Sequence, residues 1–84
     1  MPEIHVSARK HFSRDRLDDD AVLAAAARVL NSRPLDDEHD PRRWLMVGVD
    51  NSGRVLELVV LIFDDGRELV IHAMKARQQF LDEL

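Results

Sequence analysis

Four histidines, His5, His11, His39 and His72, are the side chains best suited to exchange protons near neutral pH. None stands in an HxH or HxxxH spacing, and with no cysteine in the chain a zinc site is not expected. The run Asp36, Asp37, Glu38, His39, Asp40 lacks the glycine and spacing of an EF-hand and reads as a solvated acidic loop. No P-loop, GxGxxG or nucleophile elbow occurs, and no cofactor is expected. What remains is metal-free: His72 and Glu57 on one strand face, Lys75 and Arg77 just after, and Lys10 and His11 near the N-terminus. RNA cleavage through the 2′-hydroxyl needs little more. A base takes the hydroxyl proton, an acid protonates the leaving oxygen, and cations stabilise the phosphorane. The plainer reading makes His72 a strand residue at a rim and Lys75–Arg77 the flank of a helix start.

These residues sit in 84 positions, enough for one small domain with a thin core. The absence of cysteine suits a reducing compartment. No apolar run is long enough to span a bilayer and no signal-peptide pattern opens the chain, so a soluble, cytoplasmic protein with no membrane partner is expected. The net charge of −4 argues against an extended nucleic-acid surface. It is unevenly spread: +2 over residues 1–17, −5 over 18–40 and −1 over the rest.

The elements that would carry the chemistry are a basic N-terminal arm (1–17), a helix (18–31), a β-meander (42–74) and a C-terminal helix (75–84). Asp18, Asp19 and Asp20 favour a helix start, and the alanines at 24–27 favour its continuation to about Leu30, before Asn31–Pro34 end it. Residues 34–41 form a proline-bounded loop. Strands then run over Arg42–Asp50, Arg54–Phe63 and Arg67–Met74, joined by Asn51-Ser52-Gly53 and Asp64-Asp65-Gly66. Ala76, Phe80 and Leu84 make the stripe of the last helix, Glu3–Val6 offers an edge strand and Ser7–Phe12 a short helix. The fold class is α+β, an antiparallel sheet of three to four strands packed against N-terminal helices and a C-terminal helix.

A two-residue Asp65-Gly66 turn would pair Ile62 with Leu69, Val60 with Ile71 and Leu58 with Ala73 on the core face. It would also make Glu57 and His72 diagonal neighbours on the other face. Asn51-Ser52-Gly53 can close a two-residue or a three-residue turn, which exchanges the faces of Trp44 and Leu45. Either way Val55, Val59, Leu61, Phe63 and Val70 face water, a patch that calls for a cover. The N-terminal segment, a partner or a second copy could supply it, and a partner is the favoured reading.

The order of elements, with Arg9-Lys10-His11, Gly53-Arg54-Val55-Leu56 and Ile71-His72-Ala73-Met74-Lys75-Ala76-Arg77, resembles the BrnT-type toxins of the broad RelE-like ribonuclease group. The resemblance covers most of residues 7–84 and rests on short motifs. It implies a toxin–antitoxin toxin acting as a metal-independent endoribonuclease, bound by a DNA-binding antitoxin. Lys10, His11, Arg54 and Lys75 match family positions tied to RNA binding or catalysis. Met74 stands where the family carries arginine and His72 replaces its serine, which marks a divergent subgroup. Together the expectations are His72, Glu57 and His11 as catalytic residues, Lys10, Arg54, Lys75 and Arg77 as RNA-binding residues, and RNA and an antitoxin as partners, with homo-oligomerisation open. The alternatives are a non-enzymatic module docking a partner on its sheet face, and nucleic-acid binding without cleavage.

Overall fold

A computed structural model describes residues 2–36 and 38–82 of the chain. It contains β1 (Glu3–Ile4), a 3₁₀ helix (Val6–His11), α1 (Phe12–Asp15), α2 (Asp19–Ala27), β2 (Val29–Asp36), β3 (Arg42–Val49), β4 (Val55–Ile62), β5 (Glu68–Lys75) and α3 (Gln78–Leu81). The strands form one five-stranded sheet in the order β1-β5-β4-β3-β2. β1 runs parallel to β5 and every other pair is antiparallel. The fold is thus α+β as expected, but the sheet is mixed rather than antiparallel and has five strands rather than three to four.

Asp18 starts α2 as a helix cap should, with Oδ1 accepting the Ala21 N–H at 2.8 Å. The helix stops at Ala27, short of the expected residue 31, and the chain turns at Arg28 into β2. Val29 and Leu30, expected to be the last helical residues, instead begin the strand. Pro34, expected to open a loop, lies within β2; β2 is a sheet edge, where a missing N–H need cost no ladder bond. Bulges at Leu30 and Leu35 shift its register on β3. β2 also absorbs the first residues of the expected acidic loop, while Asp37 lies outside the described residues.

Small residues let α2 lie close on the sheet. Val22 and Ala25 are buried against Leu56, Leu58 and Val60 of β4, with Val70 and Ala73 of β5 completing this core face. A Cβ built on Gly48 of β3 would stand 2.1 Å from the Ala25 carbonyl oxygen, so the helix crosses β3 where only glycine fits.

Both hairpin turns are three-residue turns ending in a left-handed glycine, Gly53 at φ 87° and Gly66 at φ 92°. The first places Trp44 opposite Val60 on the core face and Leu45 opposite Val59 on the other. The second overturns the two-residue Asp65-Gly66 turn: Ile62 pairs with Glu68 and Val60 with Val70, so Val70 is buried in the core rather than facing water. A β-bulge at Ile71 then absorbs one residue. Beyond it the expected register returns, with Val59 opposite His72, Leu58 opposite Ala73 and Glu57 opposite Met74. The last element differs too. Lys75 belongs to β5, α3 spans only Gln78–Leu81, and Leu84 of the expected stripe lies outside the described residues.

Candidate functional site

The site is built around Glu57, a carboxylate on β4 that is only 1% exposed. A buried charge is stable only when its oxygens are occupied, and here they are. Oε1 accepts the Arg77 backbone N–H at 3.0 Å and Nε at 2.9 Å, and Oε2 accepts Arg77 Nη2 at 2.9 Å. His72 adds Nε2 to Oε2 at 3.1 Å. Burial pushes the Glu57 carboxyl up, but the Arg77 hydrogen bonds and the His72 contact outweigh it and hold the group below its ordinary value. The expected diagonal pair of Glu57 and His72 is thus a hydrogen-bonded one. Among the described residues His72 Nδ1 has no hydrogen-bond partner, and the side chain is 24% exposed.

His11 reaches this pair from the opposite end of the chain. β1 covers β5 only at Leu69 and Val70, and beyond that the 3₁₀ helix packs on β5, with Ser7 Oγ donating to the Ile71 carbonyl at 3.0 Å. At the end of this helix the His11 ring stands edge-on to His72, centroids 6.0 Å apart at 77°. Desolvation lowers the His11 pKa, the charges of Arg14, Lys10 and His72 lower it further, and Asp15 opposes them. Without a ligand His11 is therefore neutral near pH 7.

Asp15 ties these parts together. Its carboxylate takes Arg14 Nε at 2.9 Å and Nη2 at 3.1 Å, and Oδ2 also accepts the Lys75 backbone N–H at 3.0 Å. The Arg14 bonds hold the Asp15 carboxyl below its ordinary value against partial desolvation, with the Lys75 N–H adding to the effect. Asp15 thereby joins α1 to the end of β5, and Lys10 and Arg14 are the cations that act on His11. Arg14 and Asp15 were not among the expected site residues. Arg14 was visible as a basic residue of the arm, but the link from Asp15 to β5 spans 60 positions and no local pattern announces it.

Arg54, expected among the RNA-binding residues, is engaged within the fold. Its Nε binds Asp50 Oδ2 at 2.8 Å, and its Nη1 donates to the Asp15 and Arg16 carbonyls at 3.0 Å each. Asp50 is fully buried and also gathers the Ser52 and Arg54 backbone N–H groups. Arg54 thus fastens the β3–β4 turn to the end of α1, where Arg16 takes a left-handed conformation at φ 56°. Arg77 is similarly engaged, by Glu57 and by the Phe80 ring, 5.1 Å from its guanidinium carbon.

On the sheet face opposite α2, a trough of about 330 Å³ adjoins His72, Glu57 and Arg77. Leu45, Val59 and Ile71 give it an apolar floor, Arg33, Leu35 and Arg43 line one side and Phe80 the other. The C-terminal segment covers part of the face expected to lie open. Among the described residues no group of three or more His, Asp or Glu is placed to hold a metal ion, and no helix is long and apolar enough to cross a membrane. Comparison with protein-family models, curated proteins and solved structures yields no match for this chain.

Proposed function

We infer that this chain is a metal-independent endoribonuclease of the cytoplasm, the toxin of a bacterial toxin–antitoxin pair held inactive by a DNA-binding antitoxin. The observation that carries the reading is the meeting of His11 and His72 at 6.0 Å, one of them backed by a buried carboxylate. In this mechanism His72 Nδ1 takes the proton from the ribose 2′-hydroxyl while Nε2 stays bonded to Glu57, which stabilises the resulting imidazolium. The 2′-oxygen forms a bond to phosphorus, the bond from phosphorus to the 5′-oxygen breaks, and that oxygen takes a proton from His11. The products are a 2′,3′-cyclic phosphate and a 5′-hydroxyl.

His11 must be charged to act as the acid. Desolvation, and after it the charges of Arg14 and Lys10, lower its pKa in the free protein; the negative charge of a bound phosphodiester, which grows in the phosphorane, opposes both by favouring the imidazolium. Lys10, Arg14 and Lys75 serve the phosphate; Arg54 holds the turn instead. Purified chain incubated with RNA in EDTA should cleave it and leave 2′,3′-cyclic ends. His72→Ala and His11→Ala should each slow cleavage by about 10²–10⁴-fold while the circular dichroism spectrum is unchanged. Intact RNA after incubation with folded wild-type chain overturns the reading.

One observation favours a second reading, a non-enzymatic module. The trough joins an apolar floor to a rim of arginines, a surface suited to an acidic segment with apolar anchors. A tight protein complex together with uncleaved RNA would select it.

A further inference from the structure

Arg77 is expected from the sequence to bind RNA, yet its backbone N–H, Nε and Nη2 are directed at Glu57. The backbone N–H and Nε occupy Oε1 of Glu57, and Nη2 occupies Oε2 beside the His72 contact. Glu57 is 1% exposed and the Arg77 side chain 52%, so the guanidinium closes the solvent side of a buried carboxylate. We propose that Arg77 is a positioning residue: it clamps Glu57, which fixes the His72 ring with Nε2 donating and leaves Nδ1 as the nitrogen that accepts a proton. The assignment rests on the reading of His72 as the base.

Two physical effects support it. A carboxylate held by one partner can rotate, whereas a guanidinium fork and a backbone N–H pin both oxygens. The ring bonded to such a carboxylate has one orientation and one tautomer. The second effect is charge balance. A buried carboxylate without a cation would draw the imidazole into an ion pair, and an imidazolium has no lone pair left for a substrate proton. Arg77 supplies the balancing charge, and its contact with the Phe80 ring holds it at the start of α3.

The test uses the full chain with Arg77→Lys, Arg77→Met and the double variant Glu57→Gln/Arg77→Met, which removes the buried charge along with its partner. In ¹⁵N spectra of the imidazoles, His72 should be a neutral, single Nε2-protonated tautomer in the wild type, with Arg77→Lys close to it. In Arg77→Met, where Glu57 keeps its charge without its cation, it should be an imidazolium at the same pH, and in the double variant a mixture of neutral tautomers. Against an RNA oligonucleotide, kcat should fall at least about tenfold in Arg77→Met with KM nearly constant, the pattern of an interaction that acts only on the chemical step. A raised KM with kcat retained would make Arg77 a phosphate ligand and overturn the proposal. So would a His72 imidazole signal identical to the wild type in folded Arg77→Met and in the folded double variant. If the wild type cleaves no RNA, the ribonuclease reading fails, and the imidazole spectra still decide the clamp.

Discussion

Glu57 carries charge inside the sheet and so links the site to the stability of the fold. Its carboxyl lies below the ordinary value of 4.5 because Arg77 and His72 outweigh burial. A depressed carboxyl stabilises the folded state fully above the unfolded value and loses that contribution as pH falls through the folded one. Wild-type chain should therefore hold its urea midpoint down to about pH 4.5 and lose it below. Glu57→Gln should flatten that acid limb, and an equally steep decline in the variant would assign the loss to other carboxylates. At this scale the sequence was informative about the pair itself. Strand alternation brings Glu57 and His72 to one face, and the register holds where they meet. The partners of Arg54 and Arg77 were not legible, because no local pattern shows which acid a basic residue will meet. Asp50 and Glu57, their partners, read simply as strand and turn acids.

Gly48 decides how near α2 comes to the sheet. The space a methyl group would need is held by the Ala25 carbonyl, backbone that cannot rotate away. Gly48→Ala must push the helix off β3 and should cost at least about 1–3 kcal/mol, read as a lowered urea midpoint with unchanged slope. A midpoint equal to wild type would show that the helix can lift without loss. The alanine run and Asp18 made α2 legible, but β2 was hidden by its own composition. Its eight residues are all exposed, so neither helical nor strand periodicity of burial is written into them. The two bulges break what alternation remains. An edge strand with proline is held by its neighbour's ladder, a partner no local window contains.

The whole molecule carries a net charge of −4, while Lys10 and Arg14 stand beside His11 and the Lys75 backbone is tied to Asp15, the partner of Arg14. The acids of residues 18–20 are accounted for by the start of α2, away from any need to face RNA. A compact cationic site engages few phosphates. For about three contacts on a single strand, log K against log salt should fall with a slope of about −2. A slope steeper than about −4 would require a long basic track and overturn the compact-site reading. Composition thus separated a small site from an extended surface, though it could not show which cations remained available.

The unpaired Ile71 has a consequence for how this chain tolerates change in length. Val70 and His72 lie on opposite faces of β5 although two positions apart, because the bulge consumes the residue between them. Excising Ile71 would make them consecutive residues of an unbroken ladder, still opposite Val60 and Val59. One codon can therefore leave the middle of this strand without turning any neighbouring side chain over. What such a deletion removes is the local twist and the carbonyl that Ser7 grips, and with them the anchor that carries His11 to His72.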